Sequence, residues 1–560
     1  MNQEQAKKRL VAIESEGSSW LATWKEIQPY IAPHRGYFNS TPNAGSKLDH
    51  KTLLDGTAVR ALGILSAGMT GGLTSPSRPW FKLGFTDTDL MKYTPVKYWL
   101  EDVESNLLSI YARAKVYGNF SAIYEEVGAF STAAMMVLSD FQTVVRGRHF
   151  TAGEFYLDQD GDNRVDTFGR KLKMNVGQLV KTFGEENVSS NVRNAYIKGD
   201  HNVYHGVAHL ICPNTKHQPG VKEAQGMKFS SVYWEEGSNE GKFLRVGGFN
   251  TFPVMAPRWG LTRPADVYGR SGPGWQALGD VKMLQKLQRD SLTAVGKVIN
   301  PPMLKDSSVP GSVNTIPGGV SVSDSLAPNA GLRPAYQIQP DLAAMENKIL
   351  RAQEAIRAAF FSDLFLMLAQ QDRPQMTARE VVERHEEKLL VLGPLLESLE
   401  GELLDPFIDR TFELALEAGV IPPPPPELEG LDLKVEYISP LAQAQKMIGV
   451  TAIEQGARFV GSISAVKPEV IDIVDWDEMT RQHLQMDGVS PRIIRDPEVV
   501  AADRKARAEA AAAAQAAEQG VAMAQGAKTL SETKVGQNSA LDAVLGGIAG
   551  IPSGQAGEPQ

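Results

Sequence analysis

Apolar positions recur with a helical period over most of this chain and switch to alternation in one central block. Ala58, Leu62, Leu65 and Met69 fall at near-helical spacing, with Asp55 placed to cap the first turn and Gly71-Gly72 to end it. Thr94-Pro95 reads as an N-cap followed by proline at the first helical position, and Val96, Trp99, Val103, Leu107 and Ile110 then form an apolar stripe. From about Met136 to Asn250, β-branched and aromatic residues alternate with polar ones, as in Phe150 to Leu157 and Phe229 to Trp234. Turn clusters such as Asp160-Gly161-Asp162-Asn163 separate these strands. One short helix around Gln178 to Phe183 interrupts the block. Trp275 to Lys297 returns to helix, with Leu278, Val281, Leu284, Leu292 and Val295 on one side and Lys282, Lys286 and Arg289 on the other.

Asn300 to Pro340 is rich in Pro, Gly, Ser and Val and has no helical period, so it predicts loops and short strands. A second helix flanks it from Leu342 to about Leu368, on Met345, Ile349, Ala352, Ile356 and Phe360. After the polar break Gln370 to Gln375, Thr377-Ala378-Arg379-Glu380 forms a capping box opening a long helix. Gly393-Pro394 should kink or break that helix, and Asp405-Pro406 should restart it. Pro422 to Pro426 reads as a polyproline hinge into a smaller module, about Leu431 to Val500, with the acidic patch Asp472, Asp475, Asp477 and Glu478. An Ala-rich helix from about Ala501 runs into a polar tail. The expected class is α+β, mainly helical.

Composition narrows the picture. With 560 residues, 42% apolar and 22% charged, the chain has material for several domains with substantial cores. The single Cys212 excludes an intrachain disulfide framework and suggests a reducing compartment. No signal peptide is legible, and no uncharged apolar run reaches the roughly 20 residues that span a bilayer, which predicts a soluble intracellular product without a membrane partner. The net charge of −9 argues against a tight grip on duplex DNA, because such grips displace counterions with a basic surplus. A channel through which DNA slides is compatible with an acidic body carrying local basic rings.

Leu73-Thr74-Ser75-Pro76-Ser77-Arg78-Pro79-Trp80-Phe81 resembles a segment of the head-to-tail connecting (portal) proteins of short-tailed bacteriophages. The resemblance continues in order through Trp20, Trp24, Ile27, Pro29, Pro33 and Phe38, then Asn119-Phe120, Gly128 and Ala133-Ala134-Met135. It goes on through Phe252-Pro253, Pro257-Arg258-Trp259 and Tyr268-Gly269-Arg270-Ser271-Gly272-Pro273, where Gly272 departs from the family's usual YGRSP. Met376 to Arg384 and Ile438 to Gln443 complete the series, so most of residues 1 to 500 is covered. The resemblance implies a portal fold assembling into a ring, dodecameric in the virion. It implies a wing over 1–270, stem helices over 271–297 and 342–365, a clip over 298–341 and a tunnel loop over 366–376. A long kinked wing helix with the polyproline hinge would take 377–430, a crown 431–500, and an Ala-rich helix with a disordered tail 501–560. It further implies double-stranded DNA passing through the channel, and terminase, capsid, scaffold and tail adaptor proteins as partners. The site would be the portal vertex of the virion, reached through assembly in the host cytoplasm. DNA-channel candidates are Lys282, Lys286 and Arg289 on the first stem helix and Gln371 and Arg373 in the tunnel loop. A basic helical face is equally read as a solvated face or as one paired with acidic neighbours.

Catalytic readings fare poorly. His201, His205 and His209 would share a helix face suited to zinc, but alternation with Val203, Val207 and Ile211 reads as a strand, where successive histidines stand about 13 Å apart. Gly272-Pro273-Gly274-Trp275-Gln276-Ala277 matches a dinucleotide fingerprint without the preceding buried strand. Asp158, Asp160, Asp162 and Asp166 lack the glycine position and closing Glu of a calcium loop and read as a hairpin turn. His385-Glu386-Glu387 lacks a second zincin histidine, Gly269 to Pro273 fails the nucleophile elbow, and no phosphate-cradling G-x-x-x-x-G-K-[ST] occurs, which excludes the packaging motor itself. No catalytic residue, cofactor or metal is expected. The remaining alternatives are a structural tail adaptor and a metal-dependent hydrolase built on the histidines.

Overall fold

The computed structural model describes residues 2–38, 53–85, 93–221, 223–238, 240–260, 263, 266–305, 332–334, 341–369, 392–425, 428, 434–438, 457–463, 467–486, 495, 497–532, 534–535 and 538–539. It is an α+β chain, mainly helical, in two compact units, Met1–Ile473 and Val474–Gln560. The capping-box helix opening at Thr377, and Gln371 and Arg373, lie outside the described residues.

In the first unit the chain opens with α1 (Gln3–Ile27), where Asn2 and Gln5 form a reciprocal capping box. Helix α2 (Thr57–Leu73) follows. Asp55 Oδ1 accepts the Thr57 N–H at 2.7 Å, although the backbone cap is Gly56. Gly71 and Gly72 do not end α2, contrary to expectation; both lie within its last turn, because burial against neighbouring helices outweighs the intrinsic cost of a helical glycine. Strand β1 (Phe81–Gly84) is followed by α3 (Thr94–Arg113), whose N-cap is Tyr93, so Thr94 sits one position inside the helix. Helix α4 (Val116–Phe130) is almost wholly buried and packs along α2, with Gly128 giving the close approach. A Cβ there would meet Leu65 Cδ2 at 2.6 Å.

The strand block forms two antiparallel sheets. One holds β2 (Ala134–Asp140) between β3 (Val144–Phe150) and the short β9 (Val254–Met255). The other is a five-stranded meander of β4 (Phe155–Gln159), β5 (Val165–Asn175), β6 (Tyr204–Pro213), β7 (Phe229–Glu235) and β8 (Arg245–Phe249). Asp160 makes the β4–β5 turn, its Oδ1 accepting the Asp162 and Arg164 N–H groups at 2.9 Å, as the hairpin reading requires. The expected helix is present as α5 (Val176–Phe183). A second, α6 (Ser190–Lys198), is unforeseen: Val192 is the one buried residue along it, too sparse a signal for periodicity. Ala6, Leu10 and Ile13 of α1 pack against one face of this sheet through Ala208, Leu210 and Trp234. Val176, Leu179 and Val192 of α5 and α6 pack against Val207 on the other face.

Two long helices follow, α7 (Pro273–Ile299) and α8 (Leu342–Ala359), connected through the antiparallel pair of β10 (Met303–Lys305) and β11 (Leu332–Pro334). Helix α8 does not run on to Leu368. It stops at Phe360, Phe361 adopts a left-handed φ of 53°, and α9 (Ser362–Ala369) starts afresh. Residues 392–399 are helical through Gly393 and Pro394. They pass via a π-helical turn, Glu400–Leu404, straight into α10 (Asp405–Glu417). The wider turn accommodates Pro406, whose missing N–H would orphan a carbonyl in a regular helix, so the predicted restart is a π-bulge in a continuous helix. Strand β12 (Lys434–Tyr437) returns to pair with β1, placing Phe81 opposite Tyr437.

The Ser-Pro-Ser-Arg-Pro-Trp-Phe segment ends in the core. Trp80 and Phe81 are fully buried, and the Trp80 ring stacks on Tyr437 at 6.4 Å and meets Phe81 and Phe120 edge-on. In the second unit, Asp475 Oδ1 accepts the Asp477 and Glu478 N–H groups at the start of α11 (Trp476–Met486). Asp477 pairs with Arg504 of α12 (Pro497–Glu532). Those acidic residues serve as a helix start, where carboxylates suit the positive helix end.

Candidate functional site

Helix α7 leaves the body at a joint built from its own entry sequence. The Gly272 N–H donates to Ser131 Oγ at 3.0 Å and the Gly269 N–H to Thr132 Oγ1 at 2.9 Å, just past the end of α4. A Cβ on Gly274 would lie 2.1 Å from the Ala129 carbonyl oxygen, so only glycine permits the start of α7 to cross α4 here. Tyr268 is held between Trp20 and Trp24 at 5.2 Å each, and its hydroxyl accepts the Leu157 N–H at 2.9 Å. The Trp24 indole N–H donates to the Phe130 carbonyl at 3.0 Å. Gly272-Pro273-Gly274 is therefore a helix entry, as the missing strand implied.

Arg258 fixes a second joint. Although 2% exposed, its guanidinium bridges the Glu402 carboxylate of the π-turn, Gln159 Oε1 at 2.9 Å and the Asn163 carbonyl at 2.7 Å. Its carbonyl accepts from Ser398 Oγ at 2.8 Å. This satisfied ion pair locks the strand block to the helix containing residues 392–417.

A polar node ties α7 and α8 together where they part from the core. Gln285 is buried; its Oε1 accepts the Leu54 and Asp55 N–H groups at 2.8 and 3.0 Å, and its amide donates to the Asp55 carbonyl at 2.7 Å. The Asp55 carboxylate in turn accepts from Gln288 of α7 at 3.4 Å and from Gln353 of α8 at 2.8 Å. Burial pushes the Asp55 pKa up, but the hydrogen bonds from Thr57, Gln353 and Gln288 outweigh it and leave it below the usual value. Sequence reasoning read Asp55 as a helix cap and missed the node. The available signal was Gln285 and Gln288, polar residues continuing the apolar stripe of Val281 and Leu284.

Beyond this node the helix pair carries no buried residue on α7 and exposes apolar side chains. Leu292 is 62% and Ile299 69% exposed, with Val298, Leu342 and Leu350 also exposed. Clustered exposed apolar residues of this kind mark interaction surfaces. Lys282, Lys286 and Arg289 are all exposed on α7. Lys282 is paired with Glu26 of α1 at 2.6 Å, which fits the paired reading, whereas Lys286 and Arg289 form no ion pair among the described residues. The structure thus separates one of the three cations from the other two.

The sequence model of the family described as "Bacteriophage head to tail connecting protein" matches residues 3–494. The chain belongs to this family. It is 40% identical over 522 residues to the "Probable portal protein" of Bordetella phage BPP-1, covering 93% of each chain. It is 39% identical over 551 residues to the "Portal protein" of Salmonella phage epsilon15, covering 98% of this chain and 99% of that one. The function of a phage portal follows from membership, and the family is a structural one. The motifs of the resemblance fall at or beside these joints and in the core: Trp80-Phe81, Arg258 and Tyr268 to Pro273 pack or hydrogen-bond within the fold. His205 and His209 lie on β6 and His201 outside it. Among the described residues no group of three His, Cys, Asp or Glu could hold a metal ion. No described helix is long and apolar enough to cross a membrane.

Proposed function

We propose that copies of this chain close into a dodecameric ring at one capsid vertex, forming the channel through which a separate terminase drives double-stranded DNA in and through which the genome later leaves. Helices α7 and α8 form the stem within 271–297 and 342–365, and β10 and β11 belong to a clip over 298–341 that docks terminase and then tail adaptors. The wing over 1–270 and 377–430 meets capsid and scaffold proteins. The tunnel loop over 366–376 brings Gln371 and Arg373 nearest to passing DNA, and the crown lies within 431–500. The chain acts through geometry and electrostatics without catalysis of its own, and it assembles in the host cytoplasm before residing in the virion.

The observation that carries this reading is the far half of the α7–α8 pair. A helix pair whose outer half exposes Leu292, Ile299, Leu342 and Leu350 needs a neighbour, and cyclic repetition gives every copy the same neighbour. Lys286 and Arg289 then recur as basic rings facing the lumen, where symmetry multiplies a weak attraction, while Lys282 stays paired with Glu26. Mass photometry with negative-stain imaging tests the assembly. Rings with a central hole, at about twelve times the 60.9 kDa chain mass, are expected. A uniform monomer or dimer across salt and concentration overturns the ring.

A further inference from the structure

The polar node around Asp55 stands where the two long helices leave the core. On α7 the last buried residues are Val281, Leu284 and Gln285, and on α8 the buried residues are Ala352 and Ile356. Gln288 and Gln353 therefore mark the last level at which the body grips the pair. From Arg289 to Ile299, α7 runs on for about 15 Å without a buried side chain. A tilt of about 10° at the node moves the far end by about 3 Å over that length. The grip at this level thus decides where the exposed Leu292 and Ile299 come to lie.

Apolar burial is non-directional, whereas hydrogen bonds to a charged acceptor are short and directional. The node divides one carboxylate between the body and the two helices. Asp55 Oδ1 accepts the Thr57 N–H at 2.7 Å in the first turn of α2, where a helix N-terminus favours negative charge. Oδ2 faces the long helices, accepting from Gln353 Nε2 of α8 at 2.8 Å and from Gln288 Nε2 of α7 at 3.4 Å. Gln285 holds the backbone beneath, accepting the Leu54 and Asp55 N–H groups at 2.8 and 3.0 Å and donating to the Asp55 carbonyl at 2.7 Å.

The Asp55 pKa lies below the usual value, so the carboxylate is ionised at neutral pH and can only accept. Both Gln288 and Gln353 must then turn their NH2 groups toward it. A slip of α8 by one residue would carry Gln353 about 1.5 Å along the helix axis and about 100° around it, out of hydrogen-bonding reach. One register of α8 against α7 satisfies the node.

We propose that Asp55 is a positioning residue for the stem: its carboxylate pins α8 to α7 in a single register at the base of the pair and so sets the direction in which their outer halves project. The consequence for assembly rests on reading α7 and α8 as the stem of a ring; the pin itself does not.

Gln353 is half-buried, so it can be replaced without opening the core. Gln353→Met keeps the length and removes the donor; Gln353→Lys keeps a donor and adds a charge opposite to that of Asp55. Packing alone would rank Met at or above Lys, whereas a pin ranks Lys with the parent and Met below both. In hydrogen exchange of the full-length monomer, the amides of 342–352 should exchange at least tenfold faster in Gln353→Met and no faster than the parent in Gln353→Lys. The reverse ranking, or parental exchange in Gln353→Met, overturns the pin. In native mass spectrometry the parent and Gln353→Lys should give rings of one subunit number and Gln353→Met rings of mixed number. Rings of one number from Gln353→Met overturn the link from the pin to ring geometry. A parent that forms no ring at all refutes the ring reading, while the exchange ranking still decides the pin.

Discussion

Glu126 titrates near neutrality inside the core, which makes stability depend on pH in a calculable direction. The side chain is fully buried in α4; Oε1 accepts from Thr151 Oγ1 at 2.6 Å, Oε2 accepts the Ala152 N–H at 3.2 Å, and Arg35 Nε lies 3.8 Å away. Burial raises its pKa from 4.5 to about 7, against the opposing pull of Thr151, Arg35 and Ala152. Between these two values the folded state holds a proton that the unfolded state has released. The stabilisation is therefore complete below pH 4.5 and is lost as pH rises through about 7. The shift corresponds to about 3 kcal/mol at full ionisation. Glu126→Gln keeps an acceptor and the volume but does not titrate. Urea denaturation followed by tryptophan fluorescence at pH 5, 6, 7 and 8 should show the variant gaining on the parent by up to about 3 kcal/mol across the range. Glu104, also raised to about 7 by burial, adds a parallel slope in both proteins and cancels in the difference. Parallel pH profiles for parent and variant would refute a buried, near-neutral Glu126.

Leu292→Asp with Ile299→Asp should abolish rings in mass photometry while leaving the monomer's melting temperature within about 2 °C, because each lost apolar contact is worth about 1.5–3 kcal/mol at an interface and nothing in the single chain. Lys286→Gln with Arg289→Gln should leave rings intact and lower packaged genome yield about fivefold, on two exposed contacts of about 0.5 kcal/mol each. Lys282→Gln should do much less, since Lys282 is held by Glu26; equal effects would sink the division of the three. Gly274→Ala should cost about 3 kcal/mol in denaturation midpoints, since its Cβ meets backbone at 2.1 Å, whereas Gly279→Ala, with open space around it, should be neutral or stabilising.

The long helices were legible because periodicity and terminal residues agreed: Pro273 opens α7, and Val281 and Leu284 face the core as the stripe required. What escaped the sequence was decided by tertiary contacts. Gly71 and Gly72 continue a helix because α2 is buried, and Pro406 sits in a continuous helix because the π-turn at Glu400–Leu404 absorbs the missing donor. The Asp55 node was hidden because its members lie about 230 and 300 residues apart, beyond any local pattern. The proposed channel surface was legible in a different sense. Lys282, Lys286 and Arg289 are equivalent as letters, and only the placement of Glu26 on α1 divides them. The motifs that carried the resemblance are not chemical at all. Trp80 organises an aromatic core, Arg258 clamps the strand block to the π-turn, and Tyr268 to Pro273 fixes the entry of α7. In the proposed ring that joint must be identical in every copy, since an error repeated around a closed ring accumulates.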